Sequence, residues 1–359
     1  MALSSLSTNA ESAPFPLGEE TAALVLSAGY GTRLGPLGKF WPKPLWPVGQ
    51  KPLLSFALEF ARYHNFSHLW ANLHHQKDRI CSYLSSLPFP VEQSIEEELL
   101  GSGGGIHQVL ALSQQRAKRP TYLALLNSDQ VVWFKDNPWP LLHTKVANAR
   151  AALLAVRVQR KQGFNRLVVK DEVLADIKKF SEDHDGPNEY LTYLGIGLLR
   201  AQGLMLRPGQ KSDFFQTVAN FRQERVVVVE IRPEFYFDLG TLGHFWHSYW
   251  QILALVAQRP QIAFSKFLID HKFINPSLLQ FTGDKIFYGP VGPSANVARA
   301  ANLTERPIQF KADALVFNDA ILGIPPSLPP VPTVIGSHGI YCGDQFGAED
   351  DLADDEGLA

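Results

Sequence analysis

Three observations predict an α/β fold, with a Rossmann-like, mostly parallel sheet carrying helices on both faces. Short apolar runs of strand length alternate with helix-like segments through about residue 257. The first run, residues 22–26, gives way at Ser27 to a glycine-spaced loop, Ala28-Gly29-Tyr30-Gly31-Thr32-Arg33. A later run ends in Asn127-Ser128-Asp129, which places a carboxylate at the carboxyl edge of a buried strand. Alternation of this kind builds a parallel sheet with right-handed crossovers. Such sheets bind ligands beyond the carboxyl ends of their strands.

Each element has its own reason. Residues 22–26 are apolar and short, as a buried strand requires. A basic turn, Trp41-Pro42-Lys43-Pro44, follows the loop, and Pro52 opens an apolar helix at about 52–64. Residues 68–73 read as a second strand, 76–86 as a helix, 90–95 as a third strand and 105–117 as a helix. Residues 121–126 form another buried run, followed by a helix at about 138–149 and a strand at 151–158. Between 163 and 200, two strand patterns separated by turn residues fit an antiparallel pair. Residues 225–231 read as a strand. An aromatic-rich helix at about 241–257 completes the domain, with Phe245, Trp246, Tyr249 and Trp250 as core.

The glycine loop is not one of two common phosphate cradles. A dinucleotide fingerprint needs a third glycine where this chain has Leu34, and no Walker Gly-Lys-Ser/Thr is present. Gly29-Tyr30-Gly31-Thr32-Arg33-Leu34 followed by Pro42-Lys43-Pro44 instead resembles the signature loop of the sugar-1-phosphate nucleotidyltransferases. Mannose-1-phosphate guanylyltransferases and muramyl- or hexose-1-phosphate uridylyltransferases are of this type. The resemblance implies the nucleotide-diphospho-sugar transferase fold. It also implies transfer of a nucleotidyl group from a nucleoside triphosphate to a sugar 1-phosphate, with Mg²⁺ as cofactor.

The same resemblance assigns roles. Arg33 and the loop at Ala28, Gly29, Gly31 and Thr32 would hold the β and γ phosphates, and Lys43 would lie between the α-phosphate and the incoming sugar phosphate. Leu99-Leu100-Gly101-Ser102-Gly103-Gly104-Gly105 resembles the family's base-binding segment, so Gly101, Ser102, Gly103 and Gly104 would contact base and ribose. Consecutive glycines at a helix entrance independently mark a close approach of ligand or backbone. Asp129 and Asp238, the latter in Phe237-Asp238-Leu239-Gly240-Thr241, would share the metal. Each also fits a turn or helix-capping aspartate. Tyr193-Leu194-Gly195-Ile196 resembles the strand that closes over the sugar, with Gly195 at the ring. The family's Glu-Lys-Pro is replaced by Lys178-Lys179-Phe180. Lys179 is a candidate phosphate ligand or equally a solvated surface lysine, and Glu172 and Glu189 compete for the sugar-binding acid.

Composition sets the remaining bounds. A chain of 359 residues with 45% hydrophobic content can bury a large core. A net charge of −2 gives no reason to expect nucleic-acid or membrane partners. Two cysteines, Cys81 and Cys342, point to a reducing compartment, hence the cytoplasm. Residues 1–18 read as a disordered leader, 19–258 as the nucleotidyltransferase domain and 348–359 as an acidic tail. Residues 259–347 read as a small β-rich extension resembling a truncated left-handed β-helix, a cap or a homo-oligomerisation module. His271, His338 and Cys342 match no zinc spacing. Three functional readings stand: a GTP-dependent enzyme on a mannose- or heptose-type phosphate, a UTP-dependent one on a hexose or muramyl phosphate, and a catalytically silent relative that binds NDP-sugar. Transfer to a non-sugar phosphate such as phosphocholine is a further variant of the enzymatic reading.

Overall fold

The computed structural model describes residues 20–34, 42–116, 119–282 and 285–288, with the backbone of five further short strands. The expected leader, the acidic tail beyond Ala348, the 289–294 segment and His338 lie outside the described residues.

The larger, amino-terminal part of the chain is built on a nine-stranded sheet. Its members are β1 (Thr21–Leu26), β2 (His68–Leu73), β3 (Glu92–Ile95), β4 (Tyr122–Asn127), and, after a short β5 (Gln130–Trp133) outside the sheet, β6 (Ala151–Gln159). β7 (Arg166–Lys170), β8 (Val173–Lys178), β9 (Glu189–Arg200) and β10 (Val226–Glu230) complete it. The order is β3-β2-β1-β4-β9-β6-β10-β8-β7. β11 (Phe235–Asp238) pairs with β5 in a separate two-stranded ladder.

The sheet is mixed, which corrects the mostly parallel expectation. β3, β2, β1 and β4 pair in parallel, and so do β10 and β6. β9 enters between β4 and β6 and runs antiparallel to both, while β8 and β7 add an antiparallel hairpin at the edge. The antiparallel pairing expected within 163–200 is therefore this hairpin plus β9. β9 is also bent: its register on β6 shifts between Tyr193 and Gly197, at Gly195 with φ +75°. A left-handed φ in a strand needs glycine.

Alternate side chains of β1 enter two cores. Ala23 and Val25 pack on one face with α1 (Leu53–Tyr63), α2 (Lys77–Ser85) and aromatic groups from the later helices. Ala22 and Leu24 pack on the other with Ile106, Val109 and Leu110 of α3 (Gly101–Arg116). α4 (Trp139–Val146), α5 (Leu242–Gln258) and α6 (Ala263–Asp270) contribute to the first face. Phe245, Tyr249 and Trp250 of α5 are core, with exposures of 0–2%. Among the described residues no single helix is long and apolar enough to cross a membrane.

Residues after α6 dock on the signature-loop side. Phe273 O accepts from Gln50 N at 2.7 Å. Gly49, at φ +61°, lies against the Phe273 carbonyl where a Cβ could not fit. Glu59 of α1, 4% exposed, takes Lys51, Arg62 and His271. His271 is thus a hydrogen-bond partner of Glu59 in the fold. Seven short strands follow in sequential order, from Leu279–Thr282 to Gln345–Ala348. The second to fourth pair in parallel and the remaining neighbours antiparallel.

The core also contains a titratable group. His64 caps the end of α1 against Phe60, Tyr63 and Trp139, and burial pushes its imidazole down to about 4. The unfolded chain protonates histidine near pH 6.5, so acid favours unfolding here. This contribution is complete above pH ~6.5 and lost as pH falls towards ~4. Urea unfolding at pH 7.5 and 4.5 is expected to show His64→Phe losing about 2–3 kcal/mol less than the parent chain over that interval.

Candidate active site

The site lies at the carboxyl ends of β1, β2 and β4, where a cleft of about 410 Å³ opens. Leu26 to Arg33, Lys43, Pro44, Asn127, Ser128, Asp129 and Gly240 line it. Leu99, Gly101, Ser102 and Asn72 complete the lining.

The glycine loop owes its shape to local sequence. Gly31 sits at φ +63°, which a side chain resists. At Gly29 a Cβ would meet nothing within 4 Å, so that backbone faces open cleft. The loop's start is tied down by Ser27, whose N donates to Asn72 Oδ1 (2.9 Å) and whose Oγ donates to Asn72 O (2.8 Å). Asn72 Nδ2 donates in turn to Glu96 Oε1 (2.8 Å), and Glu96 Oε2 accepts from Leu100 N (2.9 Å). One buried carboxylate therefore connects the glycine loop to the entrance of α3. Burial pushes the Glu96 carboxyl up.

Lys43 is the centre of the arrangement. It occupies a short turn (Lys43–Leu45) anchored by Trp46, which meets Phe245 of α5 edge-on at 4.9 Å between ring centroids. The residue is 8% exposed, and its Nζ donates to Asp129 Oδ2 and to Gly240 O, both at 2.9 Å. Arg33 approaches the same Oδ2 at 3.6 Å, with its side chain 59% exposed. Three chain segments separated by up to 197 positions thus meet at one ammonium.

Asp238 ends β11, opposite Gln130 of β5. Its Oδ1 accepts from Gly240 N (2.8 Å), and its Oδ2 lies 2.8 Å from His244 Nδ1. Leu239 N donates to Asp129 O (3.1 Å), so the two aspartates lie on adjoining backbones. Burial pushes Asp238 up, but the His244 bond and charge, the Gly240 amide and Lys43 together hold it below the usual carboxylate range. Burial, then Asp238 and Asp129, push the Tyr236 phenol well up, so it stays protonated.

These residues fit a hard divalent cation. Among the described residues no group of three or more His, Cys, Asp or Glu could hold a metal alone. Asp129 lines the cleft, and Asp238 stands outside that lining on the adjoining backbone; two such carboxylates suit Mg²⁺, which retains waters and takes phosphate oxygens to complete its shell.

Several expected site residues stand elsewhere. α3 begins at Gly101 rather than near 105. Gly103 and Gly104 are buried in its first turn against the backbone of Gln210, Ser212 and Asp213, and both their amides donate to Ser212 O. They admit a crossing strap of chain rather than a base, whereas Gly101 and Ser102 do line the cleft. The space beside Gly195 is taken by the Asn127 amide, 2.5 Å from where a Cβ would stand. Lys179 is exposed and pairs with Glu182 (3.2 Å), away from the cleft lining. Glu172 pairs with Lys145 (2.6 Å) and Glu189 accepts from Gln159 Nε2. Neither acid lines the cleft.

Asn72, Glu96, Asn127 and His244 are the residues that sequence reasoning missed. Asn72 had a detectable signal, a polar residue near the end of an apolar parallel run. Glu96 had none, since it begins a triple-glutamate stretch that reads as solvated surface.

A family model described as Nucleotidyl transferase matches residues 22–253. Mannose-1-phosphate guanylyltransferase 1 of Arabidopsis thaliana is 26% identical over 233 residues, 61% of each chain. A D-glycero-alpha-D-manno-heptose 1-phosphate guanylyltransferase of Campylobacter jejuni is 32% identical over 97 residues, 26% of this chain and 44% of that one. A UTP--glucose-1-phosphate uridylyltransferase of Synechocystis sp. is 33% identical over 99 residues, 24% of this chain and 26% of that one. The matched portion thus spans between a quarter and a half of the length of these last two relatives. The crystal structure of HddC from Yersinia pseudotuberculosis, complexed with GMP-PN, matches at a TM-score of 0.53 and 18% identity. It covers 64% of this chain and 98% of that one, and shows the fold. With the signature loop, the Lys43 node and a family match over well more than half its length, the chain belongs to the nucleotidyl transferase family.

Proposed function

We propose that this chain joins a nucleoside triphosphate to a sugar 1-phosphate, giving an NDP-sugar and pyrophosphate. The observation that carries this is the single ammonium of Lys43, held between Asp129 and the Gly240 carbonyl at the mouth of the glycine loop. An oxygen of the sugar phosphate attacks the α-phosphorus in line, and the bond to the pyrophosphate oxygen breaks. No side-chain nucleophile is needed, so catalysis rests on positioning and charge stabilisation. Arg33 suits the β and γ phosphates through its planar fork, and Lys43 suits the α-phosphate as a compact charge. Mg²⁺ held by Asp129 and Asp238 would neutralise charge on the phosphates. Gly101 and Ser102 are the proposed contacts to base and ribose.

The proposed nucleotide is GTP and the proposed acceptor a mannose- or heptose-type phosphate, which the two guanylyltransferase relatives support. The Synechocystis relative keeps UTP as the alternative. Retention of Arg33, Lys43 and both aspartates argues against a silent relative. The strands after residue 278 are proposed as a cap or a homo-oligomerisation module. Incubating the protein with each of four NTPs, a panel of sugar 1-phosphates and Mg²⁺, and reading pyrophosphate, tests the assignment. Release that requires both substrates is expected. No release with any pair, or release without a sugar phosphate, overturns it.

A further inference from the structure

We propose that His244 is a positioning residue, holding the Asp238 carboxylate in the orientation from which it takes the divalent cation. The inference rests on the reading of Asp238 as a metal ligand and adds a residue which that reading does not contain.

The two proposed ligands are held in different ways. Asp129 Oδ2 is occupied by cations, Lys43 at 2.9 Å and Arg33 at 3.6 Å. A metal arriving there competes with charges already in place. Asp238 is held by hydrogen bonds on both oxygens, Oδ1 from the Gly240 amide and Oδ2 from His244, each at 2.8 Å. An ionised carboxylate only accepts, so His244 Nδ1 carries the proton in this contact. Each carboxylate oxygen keeps a further lone pair once that bond is made. The bonds therefore fix the carboxylate plane and leave it able to bind a cation.

The ring is itself fixed. His244 stands in the first turn of α5, where its amide donates to the Thr241 Oγ1 cap at 3.2 Å. One turn on, Ser248 Oγ donates to the Asp238 carbonyl at 2.9 Å. α5 thus grips Asp238 twice, by side chain through His244 and by main chain through Ser248. The core aromatics Phe245 and Tyr249 immobilise the helix. A partner that orients a ligand from outside the coordination shell typically changes metal affinity by about 10–100-fold when removed.

The test is a Mn²⁺ titration of the full chain, alone and with GTP, following free Mn²⁺ by electron paramagnetic resonance. His244→Phe keeps a ring and loses the donor, whereas His244→Asn returns an N–H near the Nδ1 position. His244→Phe is expected to raise the Mn²⁺ Kd about 10–100-fold. His244→Asn should lie within a few-fold of the parent, with both thermal midpoints near it. Equal Mn²⁺ affinity in parent and His244→Phe overturns the proposal, as does equal weakening in folded Phe and Asn variants. If the Phe variant does not fold, His244→Leu takes its place under the same criteria. Asp238→Asn is the control. Parent-like Mn²⁺ binding by that variant refutes Asp238 as a ligand, and with it any role for His244.

Discussion

Replacing Lys43 by alanine is expected to lower turnover by about 10²–10³, the scale for losing one positioned electrostatic group. The ammonium is already desolvated, 8% exposed, and needs no reorganisation when charge builds at the α-phosphorus. An interaction strongest in the transition state affects kcat more than the KM for the triphosphate. The surrounding turn should survive, because Leu45 and Trp46 anchor it and Pro42 and Pro44 stiffen it. Steady-state pyrophosphate release with saturating substrates is the measurement. A Lys43→Ala protein that turns over as fast as the parent would remove Lys43 from the chemistry.

Lys43 could be singled out from sequence because its neighbours constrain it. A lysine between two prolines, a short spacer beyond a glycine loop, has little freedom and a recognisable pattern. Asp129 and Asp238 could be singled out for a related reason: Asp129 stands three residues past the last apolar residue of a buried run, Leu126, and Asp238 directly follows Phe235-Tyr236-Phe237. The direction of β9 was not legible in the same way. Its residues Leu194, Ile196, Leu198 and Leu199 are all buried, and a strand buried on both faces reads the same whichever way it runs. What reverses it is where it pairs, between β4 and β6, a long-range fact.

The glycines show the limit more sharply. Sequence reports that a Cβ is missing but not what occupies the space. At Gly29 the space is open cleft, at Gly103 the backbone of Asp213, and at Gly195 the amide of Asn127. Those occupants lie 110 positions downstream in one case and 68 upstream in the other, as the residue numbers give. Lys179 stands away from the cleft for a simpler reason: once the family's Glu-Lys-Pro is broken, a lysine just past the end of β8 pairs with its local acid, Glu182. Glu96 and His244 act through other residues, and such roles leave no periodic trace.

The second large effect is expected at Asp129, where two losses coincide. Asp129→Ala removes a proposed cation ligand, so pyrophosphate release should disappear at every Mg²⁺ concentration. It also strips the Lys43 ammonium, whose side chain is 10% exposed, of its carboxylate partner and leaves it on the Gly240 carbonyl. A buried charge left without its counter-ion is costly, while removing both partners together is much less so. Asp129 is itself 29% exposed, which reduces the penalty to about 1–3 kcal/mol. Lys43→Met should therefore restore much of the stability lost in Asp129→Ala without restoring activity. Urea unfolding of the four proteins in a double-mutant cycle measures the coupling directly. A coupling energy of about 1–3 kcal/mol is expected. Strict additivity would mean that the two groups do not interact in the folded chain. It would then leave Asp129 free for a metal but deprive Lys43 of the contact that aims it at the cleft.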